Sequence, residues 1–145
     1  MTTARLASRR RDESGTAAVE LVLMAASLVG FTVLVVAGAR LVDADSQVDD
    51  ASYAAARAAS LEQTFDAGRV AGEKAAQASL GARGKACVQL SVSFTGTDFR
   101  ASGVVRAQVT CRADLRDVTG LGLPGTKRFT ATAVVPIEQY RSVPR

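Results

Sequence analysis

The sequence predicts an α+β protein. A long N-terminal transmembrane α-helix continues into an extracytoplasmic helix, followed by a second short helix and a small antiparallel sheet of about three strands. Three observations predict this: no residue from Leu21 to Ala39 is charged, residues 42–65 contain neither proline nor glycine, and apolar residues alternate with polar ones after Lys85. The predicted segments are a basic leader at 1–15, a transmembrane helix at 16–40, an extracytoplasmic helical region at 41–84 and a small antiparallel β domain at 85–145.

The composition argues against catalysis and against bound cofactors. The chain contains no histidine, which is the commonest general base and the commonest metal ligand. Its two cysteines, without histidine, do not have the spacing of a zinc site. Residues 1–15 contribute half of the net charge of +4, and the other basic residues are scattered without interleaved aromatic residues. The sequence therefore predicts no enzyme, no cofactor, no metal site and no nucleic-acid partner.

The segment Ala17–Ala39 is long enough to cross a membrane. Its 23 residues would span about 35 Å as an α-helix, against a hydrocarbon core of about 30 Å. Arginines precede the segment, whereas aspartates follow it between Asp43 and Asp50. By the positive-inside rule, we expect a single-pass protein of the cell membrane, in contact with lipid, whose N-terminus is cytoplasmic and whose chain after Arg40 is extracytoplasmic.

Three interpretations of this segment compete. A secreted protein would be cleaved after the sequence AGA at residues 37–39, but the apolar run exceeds the usual length of about 7–15 residues. An uncleaved anchor explains the length and the orientation and leaves Glu20 without a use. A type IV prepilin-like signal has a short basic leader, a cut after a glycine and a glutamate at the fifth mature position. Here the leader would be Met1–Gly15, the first mature residue Thr16 and the fifth Glu20. We favour this interpretation because it accounts for Glu20.

The prepilin-like interpretation gives Glu20 a physical role. Cleavage after Gly15 would create an ammonium group at Thr16, about one helical turn from the Glu20 carboxylate. A charge at mid-bilayer costs about 2.5–3.5 kcal/mol on insertion scales. In a bundle of such helices, the carboxylate of one subunit can neutralise the N-terminal ammonium of its neighbour. Glu20 is therefore predicted to be an assembly and register residue, as buried polar residues are in coiled coils.

Two helices are predicted beyond the membrane. The second covers residues 65–84, where Gly68 and Gly72 weaken the helical pattern and Gly81 or Gly84 ends the helix. The first continues the transmembrane helix along a narrow stripe of small apolar residues. This stripe consists of Leu41, Val48, Ala51, Ala55, Ala58 and Leu61.

Alternating residues predict three antiparallel strands in the C-terminal part. The segment TGTDFRASG between the first two strands is turn-like, and Pro136 marks a sheet edge or a strand end. Each strand has one predicted apolar face. These faces are Val88, Leu90, Val92 and Phe94 in the first strand, Val105, Ala107 and Val109 in the second, and Phe129, Ala131, Ala133, Val135 and Ile137 in the third.

The relation between Cys87 and Cys111 is ambiguous from the pattern alone. Pairing the apolar faces puts the two cysteines on opposite faces of the sheet, because a shift of one residue inverts the pleat. A bulge, or a position of Cys87 just before the strand, would bring them together. In an exported domain a disulfide is favoured and would stabilise the fold by about 3.5 kcal/mol. The alternative is a pair of small buried side chains.

Residues 14–60, SGTAAVELVLMAASLVGFTVLVVAGARLVDADSQVDDASYAAARAAS, resemble the TadE-like pseudopilins, which are minor pilins of tight-adherence, Flp-type pilus systems. The resemblance continues more loosely to FTATAVVPIEQYRSVPR. It implies cleavage between Gly15 and Thr16 by a prepilin peptidase, with Glu20 as the acidic residue of the motif. The implied partners are this peptidase, other pilins or pseudopilins and the assembly machinery in the membrane.

The sequence departs from related pilins in two respects. Major Flp pilins are much shorter and follow this glutamate with tyrosine, whereas here Leu21 follows Glu20 and a long chain lies beyond the membrane. A minor pilin is therefore expected, located in the membrane or in an extracellular pilus. Thr16 stands where better-known type IV pilins have phenylalanine. The alternative function is a membrane-anchored extracytoplasmic binding module with an uncleaved anchor, and a hydrolase secreted by cleavage at Ala39 is disfavoured by the absence of histidine.

Overall fold

The structure is a computed structural model of the 145-residue chain. It describes residues 16–82 and 87–138 in full, and residues 3–15 and 83 as helical backbone only. The predicted leader therefore lies outside the fully described residues. The elements are α1 (Thr3–Leu61), α2 (Phe65–Arg83), β1 (Gln89–Ser93), β2 (Val104–Asp114), α3 (Leu115–Thr119) and β3 (Thr126–Pro136). The predicted α+β fold, with a long apolar N-terminal helix, a second helix and a three-stranded antiparallel sheet, is confirmed. The chain forms two compact units, Met1–Ala37 and Gly38–Arg145, and we call the second unit the head.

From Thr16 onward the first unit is an apolar helix whose large side chains are exposed. The large hydrophobic residues from Val19 to Val36 have exposed fractions between 41% and 70%. Ser27 and Thr32 each donate their hydroxyl proton to the carbonyl oxygen four residues earlier, over 2.6 Å and 2.8 Å. Such bonds satisfy polar groups within the helix. The residues Thr16–Leu61 include a window with a mean hydropathy of 2.4, so this helix is long and apolar enough to span a membrane.

The sheet has the order β1-β2-β3, and both pairings are antiparallel. Val92 of β1 pairs with Val109 of β2, which pairs with Ala131 of β3, so the apolar faces of the strands coincide. The predicted inner residues of β2 are at most 1% exposed. In β3 the inner residues are buried apart from the half-buried Ala133, and the strand ends at Pro136 as predicted.

Two residues predicted to lie on buried apolar faces, Val88 and Leu61, are exposed. Val88 is 68% exposed, because β1 begins only at Gln89 and Cys87 points towards the core. Val88 lies in a bend ahead of the strand, where the alternation of β1 does not apply, and its side chain is exposed to solvent. In α1, Leu61 is 57% exposed and Ala58 is half-buried. The buried stripe steps by three or four residues, as helical geometry requires. It consists of Ala44, Val48, Ala51, Ala55 and Ala59, with Ser52, Ala56 and Ser60 beside it.

Helices α1 and α2 approach each other closely at two glycines. A Cβ atom built on Gly72 would lie 2.5 Å from Cζ of Phe94 and 2.9 Å from the carbonyl oxygen of Ala55. A Cβ atom on Gly68 would lie 3.0 Å from the carbonyl oxygen of Ala59. Each glycine weakens the helix by about 1 kcal/mol relative to alanine. Their absence of a side chain is what lets α2 lie directly against α1.

We expect Gly72→Ala to destabilise the head by about 1–3 kcal/mol, because the added methyl group overpacks the contact with Phe94 and Ala55. Gly81→Ala is the matched control in the same helix. Among the described residues, and apart from the adjoining backbone of α2, no atom lies within 4 Å of its added Cβ, so it should stabilise the head by about 0.5–1 kcal/mol. The measurement is amide hydrogen exchange of β2 in the membrane-embedded chain. Equal protection in the two variants would contradict the close helix contact.

The short helix α3 was not predicted. It begins after Asp114 and ends at Gly120, whose φ of 68° allows its N–H to donate to the carbonyl oxygen of Arg116 over 3.0 Å. Val118 and Thr119 are buried. A helix of five residues is too short to show a helical period in the sequence. It brings the chain from the end of β2 to the start of β3.

Candidate assembly helix and head surfaces

Thr16 and Glu20 lie on one face of α1. They are four residues apart, which places their side chains one turn from each other on the same side of the helix. Both side chains are exposed. Glu20 lies beside Ala17, Leu21 and Met24 along a shallow apolar surface of the helix. Within residues 16–82 and 87–138, no ion pair involves Glu20.

The peptide bond between Gly15 and Thr16 is at the border of the fully described residues. Gly15 is described only as helical backbone of α1. The apolar segment begins directly after it, so the bond lies where the basic and apolar parts of the chain meet. Such a junction would place the bond near the membrane surface if the apolar segment spans the bilayer. Cleavage at this bond stays a prediction.

Cys87 and Cys111 form a disulfide, with their Cα atoms 5.4 Å apart. Cys111 lies on the buried face of β2 opposite Leu90 of β1, and it is 1% exposed. Cys87 lies before the first residue of β1, so its side chain is not bound by the alternation of that strand. The sequence allowed two ways to pair the cysteines, a bulge or a position of Cys87 before the strand. The structure places Cys87 before the strand. The bond joins the start of β1 to the middle of the sheet and encloses the turn between β1 and β2.

The sheet face that points away from the core is polar, and we call it the open sheet face. Its rows are set by the register: Arg112 pairs with Arg128, and Thr110 with Thr130. The hydroxyl oxygens of Thr110 and Thr130 are 3.3 Å apart, and the Gln108 amide donates to Thr132 over 3.5 Å. The open sheet face consists of Gln89, Ser91 and Ser93 of β1, Val104, Arg106, Gln108, Thr110, Arg112 and Asp114 of β2, and Thr126, Arg128, Thr130, Thr132, Val134 and Pro136 of β3.

A second polar surface lies on the exposed side of α1 in the head, and we call it the acidic helix face. Residues 42, 45, 49 and 53 follow each other by three or four positions, so they share one side of the helix. Val42 and Tyr53 are 67% and 60% exposed. The surface consists of Val42, Asp43, Asp45, Asp49, Asp50, Tyr53 and Arg57. The sequence interpretation missed both surfaces as sites, although the alternating polar residues of β2 and β3 were visible.

Comparison with known families bears on the N-terminal part of the chain. A family model described as TadE-like protein matches residues 15–57. These residues are similar to that family, and we call them the TadE-like segment. The match begins at Gly15 and includes Thr16, Glu20, the apolar helix and most of the acidic helix face. It supports the predicted resemblance, and it leaves α2 and the sheet outside.

Searches among curated proteins and among solved structures find no significant match. The TadE-like segment together with a helix that could span a membrane fits a component of a tight-adherence pilus. Such a role is structural rather than enzymatic. From Thr16 to Ala37 the helix offers an extended apolar surface with one carboxylate, Glu20, which suits packing against lipid and against other helices.

Proposed function

We propose that the chain is a minor pilin or pseudopilin of the TadE-like type, a membrane-anchored structural subunit of tight-adherence pilus assembly. The observation that carries the proposal is Glu20, a carboxylate at the start of an exposed apolar helix, four residues after Thr16 and inside the TadE-like segment. An ionisable residue in a membrane segment is costly and is usually functional. Neither an uncleaved anchor nor a secretion signal requires it.

In this proposal a prepilin peptidase cleaves the bond between Gly15 and Thr16. Cleavage removes the four arginines of the leader and creates a new ammonium group on Thr16. The apolar helix then begins with one positive charge and carries one negative charge a turn later. Two such helices, shifted along each other by about one turn, can pair the ammonium of one with the Glu20 carboxylate of the other.

The head would lie on the extracytoplasmic side of the membrane. The arginine-rich residues precede the apolar helix and the aspartates follow it, which is the charge distribution of a cytoplasmic N-terminus. The disulfide between Cys87 and Cys111 supports the same orientation, because disulfides form and persist in oxidising compartments. The partners would be the prepilin peptidase, other pilins or pseudopilins and the assembly machinery of the membrane.

The N-terminal residue of the membrane-extracted chain tests this function directly. We expect mass spectrometry to find Thr16 as the first residue in cells that contain the prepilin peptidase and an uncleaved leader in cells that lack it. Gly15→Leu is a matched variant that keeps the charge and places a large side chain at the cut. It should accumulate uncut in both strains.

Two other N-termini would contradict the proposal. An uncut chain in the presence of the peptidase would indicate a membrane-anchored binding module, in which α1 is only a tether. A chain beginning at Arg40 would indicate release by a signal peptidase after Ala39, and the head would then be a secreted protein.

A further inference from the structure

The open sheet face carries positive charge that the head leaves largely uncompensated. Arg112 and Arg128 are directly opposite each other on neighbouring strands, an arrangement in which like charges repel. Arg106 adds a third guanidinium further along β2, and Asp114, at the end of the strand, is the one carboxylate on this face. Within residues 16–82 and 87–138, neither Arg112 nor Arg128 is in an ion pair. An anionic group from outside the head would relieve the repulsion.

The acidic helix face has the opposite charge and a composition suited to a protein contact. Its four aspartates lie within two helical turns, and Arg57 is its one cation. Val42 and Tyr53 place exposed apolar side chains among these carboxylates. Tyrosine is enriched in protein interfaces because its ring combines a large apolar area with a polar tip. An aspartate-rich surface of this kind favours a cationic partner with room for a ring and a branched aliphatic side chain.

Both surfaces belong to one head and point away from its core. The buried stripe of α1 and the buried face of the sheet form a single apolar cluster, and the two charged surfaces are the opposite sides of these elements. They therefore cannot neutralise each other within one copy. Two different and complementary patches on one molecule produce a head-to-tail contact, which closes into a ring or repeats in an open filament, depending on the rotation between the copies.

We propose that the open sheet face of one copy binds the acidic helix face of a second copy. Arg112 and Arg128 would face the carboxylates of Asp45 and Asp49, and Thr110 and Thr130 in the neighbouring row would provide hydrogen-bonding hydroxyls. The inference rests on the proposed function, because a contact that repeats head to tail has a use in a growing assembly. It adds the heads as a second contact besides the helices that carry Glu20.

Site-specific photocrosslinking of the full chain in its membrane tests this contact. A benzophenone amino acid replaces Thr130, in the row next to the two arginines, in a copy with one tag, and a second copy carries another tag. We expect a crosslink between differently tagged copies whose peptide comes from residues 42–57. The matched control places the benzophenone at Lys74, an exposed residue of α2 that belongs to neither surface, and should give no such product.

Charge reversal supplies the second arm of the experiment. Arg112→Glu with Arg128→Glu should lower the crosslink yield about tenfold or more, because like charges would then face each other across the contact. Asp45→Arg with Asp49→Arg should lower it by a similar factor. A mixture of the two double variants, with the benzophenone in the first, should restore the crosslink. All four positions are exposed, and a retained disulfide on a non-reducing gel verifies that each head is folded.

Several results would overturn the head contact. They are a crosslink from Thr130 to lipid or to another protein only, a crosslink to a different surface of the second copy, and a yield that does not depend on the four charges. The N-terminus of the same sample separates this failure from that of the proposed function. A chain that begins at Thr16 and lacks the crosslink retains the pilin-type function without the head contact.

Discussion

Replacing Glu20 with alanine is expected to leave the chain in the membrane with a folded head and to remove it from pilin assemblies. In the proposed assembly, the carboxylate neutralises the Thr16 ammonium of a neighbouring helix within an apolar surrounding. Breaking a buried ion pair by removing one partner costs about 3–5 kcal/mol, because the other charge stays without a partner. Since each 1.4 kcal/mol corresponds to about a factor of ten, association should fall by about a hundredfold or more. Co-purification with tagged pilin partners from membranes measures this loss.

Two variants separate the charge of Glu20 from other properties of the helix. Glu20→Asp keeps the carboxylate on a shorter side chain and should retain part of the association. Ser27→Ala lies two turns further on the same helix and removes a hydroxyl that donates within α1, to the carbonyl oxygens of Leu23 and Met24. It should associate like the unchanged chain.

The N-terminus of the Glu20→Ala chain must be determined alongside its association. A variant that begins at Thr16 but does not associate has lost assembly rather than processing, as we expect. A variant that is processed and associates normally would show that Glu20 sets neither affinity nor register. The helix would then pack through its apolar surface alone.

The parts of the fold that local pattern determines were predictable. The nineteen uncharged residues of the apolar segment predict a helix by composition alone. The alternation in β2 and β3 continues for many residues with one face buried, and a register shift by one residue would expose that whole face. Pairing of these strands follows from matching the apolar faces. Local pattern and tertiary structure agree here because the inner face of β2 is buried from Val105 to Ala113 and that of β3 is largely buried from Phe129 to Val135.

The wrong assignments in β1 and α1 occur where contacts with residues distant in sequence determine the conformation. Val88 fits the alternation of β1, but it lies in a bend before the strand, next to the Cys87 that is bonded to Cys111, and it is exposed. In α1, alanines at neighbouring positions fit several stripes equally well. The contact of Gly68 with Ala59 selects one of them. Gly68 and Gly72 of α2 look like weak points of a helix until the helix against which they pack is known.

Some residues of the candidate site could be predicted from local sequence, whereas others required the tertiary structure. Thr16 and Glu20 could be predicted because a single helix places residues four apart on one face without any tertiary contact. The opposed arginines of the open sheet face could not be found without the register, since Arg112 and Arg128 are far apart in sequence and meet only through the pairing of β2 with β3. Charge that is scattered along the sequence is thus concentrated on one surface.

Removing the disulfide is expected to destabilise the head by about 3.5 kcal/mol. Cys87 and Cys111 are 24 residues apart, and the bond lowers the conformational entropy of the unfolded chain by closing the loop that contains β1 and the following turn. The head has a thin core in which many of the buried side chains are alanine, so this contribution is a large part of its stability. The variant is Cys87→Ala with Cys111→Ala. Urea unfolding of the head in the full membrane-embedded chain, followed by protease sensitivity of β2, measures the loss.

Reduction of the unchanged chain separates the crosslink from the change in packing. Cys111 is buried, so its replacement by alanine also removes core contacts, whereas reduction breaks the bond and leaves both sulfur atoms in place. We therefore expect reduction to lower the urea midpoint substantially and the double variant to lower it further, with no additional effect of reductant on the variant. A double variant that unfolds at the same urea concentration as the oxidised chain would show that packing of α1 and α2 on the sheet stabilises the head without the disulfide. Insertion of the apolar helix should be unchanged in every case, because that segment contains neither cysteine.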